Sequence, residues 1–158
     1  MSRTPNVGME RTRDPASSGC AFCEYIAGSR SCAFIRRTEL VSSFVNLRQY
    51  EHGAALIVPN AHLGTVLDLN GQLLGAIYNE AAEIGRALVA AFGATGLNIF
   101  QNSGVDAGQT EPHFHVHVVP RYPGSDPGKI FRSAEVEPVS MEAQLSVAAS
   151  IAGALRGT

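Results

Sequence analysis

One run of alternating residue types limits the fold of this chain more than any other feature. In PHFHVHVV, at positions 112–119, single apolar residues separate the histidines His113, His115 and His117. Successive side chains of a β-strand point to opposite faces, so the run predicts a strand with one apolar face and one row of imidazoles at steps of roughly 6–7 Å. Burial in a core explains the apolar face. It does not explain the histidines, because a buried imidazole needs polar partners.

The row of imidazoles suits either metal binding or phosphate chemistry. Neutral imidazole can attack phosphorus, and imidazolium can bind phosphate oxygens. Exchange between these two forms lets a histidine transfer a proton near neutral pH. The preceding segment NSGVDAGQT, residues 102–110, is rich in glycine and small polar residues. A loop of this composition lets backbone N–H groups approach an anion closely. The alternative is a solvated edge strand that contains histidines by chance, which strict alternation disfavours.

Helices and short strands are predicted along the rest of the chain. Asn70 and Gly93 are residue types that cap the two ends of a helix, and the apolar residues between them repeat at helical spacing. Ser140 caps a second predicted helix at 141–155. The shorter predicted elements are a helix at 20–27 and strands at 33–35, 41–45, 54–58, 97–101 and 113–119. We expect an α+β fold in which an antiparallel sheet of about five strands is covered by a long helix and a C-terminal helix.

The length and composition of the chain are those of one globular domain. It has 158 residues, of which 45% are hydrophobic and 16% are charged. Residues 1–19 contain no apolar stretch and are predicted to form a disordered tail, so the domain occupies residues 20–158. Residues 122–138 are rich in proline, glycine and charge and are predicted to form a surface loop.

The charge and the cysteines limit the class of partner and the compartment. A net charge of −2 gives no broad attraction to nucleic acid or to an anionic membrane surface. No apolar run reaches the length that spans a bilayer. Three cysteines without an export signal predict a reducing cytoplasm. We therefore expect neither nucleic acid nor membrane as a partner.

The histidine run and its surroundings resemble the histidine triad (HIT) family of nucleotide hydrolases and transferases. The family signature, His-apolar-His-apolar-His followed by two apolar residues, matches residues 113–119, with NSGVDAGQTEP before it and Pro120-Arg121 after it, as in the fragile-histidine-triad branch. Residues 44–62 look like the family's nucleotide-binding strand pair, so the resemblance covers roughly residues 20–121. It implies the HIT-like fold and a homodimer formed by pairing two sheets.

The resemblance also implies a reaction and the residues that carry it. His115 would attack the α-phosphorus of a purine nucleotide, forming a covalent histidine–nucleotide that water cleaves, so that a nucleoside monophosphate such as AMP leaves a phosphoanhydride or phosphoramidate. His117 matches the contact to the transferred phosphate. The other implied nucleotide contacts are Asn102, Gly108 and Thr110 at the phosphate or leaving group, Asn46 at the ribose, and Phe44 and Ile26 at the base.

Two cysteines indicate a possible zinc site. Cys20 and Cys23 have the C-x2-C spacing that can hold one edge of a tetrahedral zinc ion, although two buried cysteines near a helix start would have it as well. Similarity to zinc-bearing bacterial members implies that His62, in a Pro-x-x-His segment, and His113 complete a structural site. Such a site leaves His115 free of metal, so we expect no catalytic cofactor. Cys32 is expected to be a small apolar filler.

Two residues depart from the family pattern and keep other functions open. Ala54 occupies a position where a histidine usually orients the nucleophile, and His52 would share its strand face about 7 Å away. Glu111 occupies a position that is usually less acidic, where it could bind an imidazolium or repel a polyphosphate. The alternating histidines could instead hold the catalytic metal of a hydrolase. A nucleotide-binding module with little turnover is the third possibility, and Ala54 favours it.

Overall fold

Five antiparallel strands and three α-helices make up residues 19–157, the part of the chain that the computed structural model describes. The strands are β1 (Phe34–Arg37), β2 (Val41–Val45), β3 (Ala55–Pro59), β4 (Gly96–Phe100) and β5 (Val116–Arg121). The helices are α1 (Ala21–Ala27), α2 (Gly71–Phe92) and α3 (Met141–Arg156). The predicted α+β class is confirmed. The predicted tail, residues 1–19, lies outside the described residues except for Gly19.

The strands form one sheet in the order β1-β2-β3-β5-β4. Every neighbouring pair is antiparallel, and β5 lies between β3 and the edge strand β4. In this register His117 of β5 lies beside Leu56 on one neighbour and Phe100 on the other. The sheet therefore places the last histidine of the run between two strands.

The long helices begin and end where their local sequence predicts. The Asn70 side chain accepts a hydrogen bond from the Leu73 N–H at the start of α2, and Gly93, with φ of 68°, ends the helix in the left-handed conformation. The Ser140 side chain accepts a hydrogen bond from the Ala143 N–H at the start of α3. Each such cap contributes about 1 kcal/mol, so the two helix starts are set by single residues.

The two faces of the sheet are buried by different partners. On one face α2 and α3 pack against a large apolar cluster that includes Ile57, Val116 and Val118. On the other face α1 covers part of the sheet, where Phe22 and Phe44 form a smaller cluster. Because strand side chains alternate between faces, Val116 and Val118 enter the large core while His117 points to the opposite side.

Two predicted segments differ from the structure. The strand predicted from His113 begins only at Val116, because the backbone N–H of Phe114 donates to the carbonyl of Leu63 rather than to a neighbouring strand. Residues 122–138 are not a simple surface loop: they contain two 3₁₀ helices and the buried Val136. The Arg121 guanidinium donates to backbone carbonyls early in this segment, which gives it a defined path. Within residues 19–157, none of the helices combines the length and apolar character that a membrane span requires.

Candidate nucleotide site and metal cluster

A cavity of about 490 Å³ lies beside the histidine run. Its walls come from α1, from β2 and the loop that follows it, from the segment before β5, and from the connection between β5 and α3. This volume lies within the range that holds small ligands. His115 and His117 both line it, and they are buried to within a few per cent of their surface, so a bound ligand would meet them away from bulk water.

The protonated nitrogen of His115 follows from its backbone partner. Its Nδ1 lies 2.8 Å from the carbonyl oxygen of His113. A carbonyl only accepts, so Nδ1 carries the hydrogen and Nε2 keeps a free lone pair. Burial lowers the pKa of His115, opposed by this hydrogen bond to the His113 carbonyl. The side chain is therefore a neutral imidazole with Nε2 available as a nucleophile.

His117 is held by stacking rather than by hydrogen bonds. Its ring stacks on Phe100 with centroids 4.4 Å apart and lies 5.0 Å from the ring of His115. Burial lowers the pKa of His117 to about 3, with a smaller contribution from His115. Within residues 19–157 its buried Nδ1 has no hydrogen-bond partner. Buried polar atoms are normally paired, so this nitrogen is an exception to that rule.

Ala54 lies in an apolar environment near this site. It is fully buried, in a cluster with Tyr50 and Val119. His52 does not replace the usual histidine, because its ring packs on Phe92 of α2, with centroids 4.7 Å apart. The Tyr50 ring lines the cavity 6.0 Å from His117. The orientation of the nucleophile candidate thus comes from the His113 carbonyl and not from a second histidine.

The residues predicted to bind the nucleoside are partly brought together. Asn46 and Phe44 line the cavity. The Oδ1 of Asn46 accepts a hydrogen bond from the Arg48 N–H at 3.1 Å, so the other polar group of the side chain is the Nδ2 donor. Ile26 packs in the apolar cluster behind the wall, and Phe22 and Tyr25 of the same helix line the cavity instead.

Of the three residues in the loop before the histidine run that were predicted to bind the nucleotide, one lines the cavity. Thr110 lines the cavity, as does the neighbouring Glu111. Asn102 and Gly108 lie outside the lining and bond to each other, with the Asn102 amide donating to the Gly108 carbonyl at 3.4 Å. Gln109 holds the loop in place by donating to the carbonyl of Glu111 and to that of Gly64, in the segment between β3 and α2.

The four residues predicted as zinc ligands lie together at the other end of the run. The ligand atoms of Cys20, Cys23, His62 and His113 all lie within 4.8 Å of one another. His62 Nδ1 is 3.2 Å from the Cys23 sulfur, and His113 Nδ1 is 3.5 Å from both sulfurs. Two thiols and two imidazoles are a common ligand set for tetrahedral zinc.

A hydrogen bond fixes which nitrogen of His113 faces the cysteines. Its Nε2 lies 2.9 Å from the carbonyl oxygen of Pro59, so Nε2 carries the hydrogen and Nδ1 presents a lone pair to the thiols. Burial lowers the pKa of His113 to about 4, which keeps the ring neutral. Burial also raises the pKa of Cys23 to about 12, reinforced by Cys20. A bound cation would lower the pKa of Cys23 again, because thiols that bind a metal lose their proton.

Several residues of the cavity wall have no signal in the sequence. Tyr25 and Tyr50 resemble ordinary core aromatics, and Arg48 resembles a surface charge. Ser133 and Gln144 come from the segment after β5, beyond the residues that carry the family resemblance. Only the packing of distant segments brings them to the cavity, so no local pattern could have identified them.

Comparison with known proteins agrees with this architecture. Residues 28–124 match the model of the HIT domain. Protein hit of Bacillus subtilis is 33% identical over 110 residues, which span 70% of this chain and 76% of that protein. The asymmetrical bis(5′-nucleosyl)-tetraphosphatase of Schizosaccharomyces pombe is 36% identical over 85 residues, which span 54% of this chain but only 47% of that protein. A zinc-bound histidine triad family protein from Mycobacterium smegmatis superposes with a TM-score of 0.76 at 25% identity, covering 89% of this chain and 96% of the other.

Proposed function

The chain belongs to the HIT domain family, and from that membership we propose that it is a nucleotide hydrolase. It cleaves a nucleoside monophosphate, such as AMP, from a phosphoanhydride or phosphoramidate through a covalent histidine–nucleotide intermediate. One observation carries the proposal: His115 is a buried, neutral imidazole whose Nδ1–H is held by the His113 carbonyl, leaving Nε2 on the cavity side. The name of the tetraphosphatase relative supports a nucleotide substrate.

The reaction divides into two displacements at phosphorus. In the first, the Nε2 lone pair of His115 forms a bond to the α-phosphorus, and the bond to the leaving group breaks with its electron pair; an amine leaving group takes a proton from water. In the second, water attacks the same phosphorus, the N–P electron pair returns to Nε2, and the proton of the water passes to solvent. The imidazole ends as it began, so no further reactant is consumed.

Neighbouring side chains are suited to hold the phosphate during both steps. His117 lies beside His115 and lines the same cavity, so its ring N–H would donate to a phosphoryl oxygen. The Thr110 hydroxyl lines the same cavity and can donate to the phosphate or the leaving group. Asn102 and Gly108, implied by the resemblance, would need the loop to shift in order to reach the ligand.

The nucleoside fits the apolar end of the cavity. Phe44 and Tyr25 present aromatic rings with centroids 5.4 Å apart, suited to contact a purine, with Ile26 packed behind them. Asn46 would bond the ribose hydroxyls. The net charge of −2 offers no attraction to nucleic acid, so the partner we propose is a free nucleotide.

We also propose a structural zinc ion held by Cys20, Cys23, His62 and His113. When bound, zinc would cross-link α1 to the segments before α2 and β5. The histidines of the run do not converge on one point, because His113 Nδ1 faces the thiols while His115 Nδ1 is bonded to a carbonyl. This divergence argues against a hydrolase in which all three histidines hold a catalytic metal.

Among residues 19–157 no strand pairs with the outer edge of β4, and this edge suits a homodimer. On the edge strand β4, Leu97 and Ile99 are 37% and 39% exposed, and Leu97 packs over Gly85 of α2, beside the half-exposed Val89. An uncovered edge joined to an apolar surface is typical of an interface. We expect sedimentation equilibrium to give twice the chain mass of 16.7 kDa. Ile99→Lys should shift the protein to monomer, whereas the same change at the exposed loop residue Phe131 should not; a wild-type monomer would contradict the dimer.

The thiols are consistent with the compartment expected from the sequence. All of Cys20, Cys23 and Cys32 are free, and two of them belong to the metal cluster. Free thiols of this kind persist in reducing compartments, so we propose a cytoplasmic protein.

The test is AMP release from a diadenosine polyphosphate and from an adenosine phosphoramidate, with and without chelator. We expect chelator-resistant turnover that falls at least about a thousandfold in His115→Ala. The matched control is His52→Ala, which removes a histidine that packs on α2 and should leave the rate unchanged. Turnover abolished by chelator would favour the metal-dependent hydrolase. Tight AMP binding without turnover would favour the nucleotide-binding module, with Ala54 as the first residue to change to histidine.

A further inference from the structure

We propose that Gln144, on the first turn of α3, binds the ribose of the nucleotide by accepting a hydrogen bond from one of its hydroxyl groups. The proposal rests on the proposed nucleotide-binding function and adds a residue from outside the segment that matches the HIT domain, residues 28–124. Gln144 would make the site selective for ribonucleotides over deoxyribonucleotides.

The start of α3 is fastened beside the ribose end of the cavity. The backbone N–H of Val139 donates to the carbonyl of Leu47 at 3.0 Å, and Arg48 pairs with Pro138 in an isolated antiparallel bridge. These contacts place the residues just before α3 against the residues that directly follow Asn46. Gln144 and Asn46 consequently line the same cavity although they are far apart in sequence.

The hydrogen bonds of Gln144 fix which end of its amide is free. Its Nε2 donates to the carbonyl of Val139 at 3.0 Å. A carbonyl cannot donate, so the amide nitrogen must face Val139 and the Oε1 must point elsewhere. Among the described residues that oxygen has no hydrogen-bond partner. The side chain is only 4% exposed, so the cavity it lines is its route to a donor. Gln144 Oε1 is not one of the fully buried atoms that lack a partner, so it is open to the cavity, where a ligand hydroxyl can donate to it.

Asn46 and Gln144 offer complementary groups to a diol. The Oδ1 of Asn46 already accepts from the Arg48 N–H, so Asn46 contributes mainly its Nδ2 donor. Each ribose hydroxyl needs an acceptor for its own hydrogen as well as a donor to its oxygen. The Oε1 of Gln144 supplies that acceptor. A deoxynucleotide lacking the bonded hydroxyl leaves the oxygen of Gln144 unpaired in a closed site and binds more weakly.

The test compares two kinds of nucleotide in one variant. We would measure the dissociation constants of AMP, 2′-deoxyAMP and 3′-deoxyAMP by calorimetry on the full chain, wild type and Gln144→Met. Methionine keeps the length of the side chain and removes both polar groups. The wild type should prefer AMP over one of the deoxynucleotides by about threefold to tenfold, the value of one neutral hydrogen bond, and Gln144→Met should lose that preference.

Controls separate a direct contact from a structural one. Ser140→Ala removes the cap of the same helix turn and should weaken all three nucleotides equally, leaving the preference intact. If Gln144→Met does not fold by circular dichroism, Gln144→Asn, which withdraws the amide by one methylene, takes its place. The proposal would be wrong if a folded Gln144→Met or Gln144→Asn protein preferred AMP over the deoxynucleotide as strongly as the wild type does. Failure of the wild type to bind AMP at all would instead overturn the proposed nucleotide function.

Discussion

His113 and His115 lie two residues apart, and the structure prepares them for different chemistry. His113 donates from Nε2 to the Pro59 carbonyl and turns Nδ1 toward two thiols. His115 donates from Nδ1 to the His113 carbonyl and leaves Nε2 on the cavity side. Both rings are buried and both have a lowered pKa, so neither burial nor charge distinguishes them. The two rings differ in which of their nitrogens donates to a backbone carbonyl.

The comparison shows how one short run can serve two sites. Backbone carbonyls accept and never donate, so each of them fixes one tautomer and thereby selects which nitrogen is free. Phe22 stands between the two sites, with its ring centroid 5.8 Å from that of His113 and 5.1 Å from that of His115. The metal cluster and the cavity are thus adjacent in space and separate in chemistry.

The variant with the largest expected effect removes one ligand of the metal cluster and keeps the candidate nucleophile His115. Cys23→Ser should abolish stoichiometric zinc binding, measured by atomic absorption. It should lower the free energy of unfolding by about 4 kcal/mol if free zinc exceeds its dissociation constant a thousandfold, because a ligand that binds only the folded state stabilises it by that amount. Turnover per folded molecule should persist at a temperature well below the lowered melting point.

Cys32→Ser is the matched control for that change. It removes a thiol that lies outside the cluster, so zinc binding should remain stoichiometric. If Cys23→Ser kept its zinc, or if Cys32→Ser lost it, the assignment of the four ligands would be wrong. Loss of all turnover in a folded, zinc-free Cys23→Ser protein would mean that the two sites are not separate.

A variant with a smaller expected effect tests Phe22, the residue that lies between the metal cluster and the cavity. Phe22→Leu removes the ring that contacts both histidines and should cost about 1 kcal/mol of stability, in the range of a single aromatic pair. We expect zinc to remain bound, because all four ligands stay in place, and kcat/KM to fall by about threefold to tenfold as His115 loses support. Thermal unfolding and steady-state kinetics measure the two effects.

Phe34→Leu provides the comparison for Phe22→Leu. Its ring packs on Phe44 with centroids 6.1 Å apart in the same apolar cluster, without a ring contact to either histidine. It should cost less stability than Phe22→Leu, because Phe34 is only partly buried, and it should leave kcat/KM closer to the wild-type value. Equal kinetic losses in both variants would show that general loosening of the cluster, and not support of His115, explains the effect.

Local signals predicted much of the fold. The caps Asn70, Gly93 and Ser140 act within one helical turn, so their residue types alone mark where α2 and α3 begin or end. The start of β5 could not be placed in this way. Residues 113–115 alternate as a strand would, yet Phe114 bonds to Leu63, a partner that only the tertiary fold brings near.

The features of the candidate site also fall into two groups: those that short sequence patterns predict and those that depend on the packing of the folded chain. The histidine run and the C-x2-C pair are short patterns, and the resemblance joined them to His62, so the metal cluster was predictable as a set. The tautomers of the histidines were not, because they depend on carbonyls whose positions follow from packing. The place of Gln144 in the cavity wall was also beyond prediction, because it depends on the packing of α3 against the loop that follows β2.

The central claim, that adjacent histidines hold opposite tautomers, can be measured directly. Long-range ¹H–¹⁵N correlation spectra of the zinc-loaded, ¹⁵N-labelled protein at neutral pH distinguish a protonated Nδ1 from a protonated Nε2 in each ring, with His113→Cys and His115→Gln used to assign the signals. We expect His113 to carry its proton on Nε2 and His115 to carry its proton on Nδ1. The same tautomer in both rings, or a doubly protonated His115, would contradict the account.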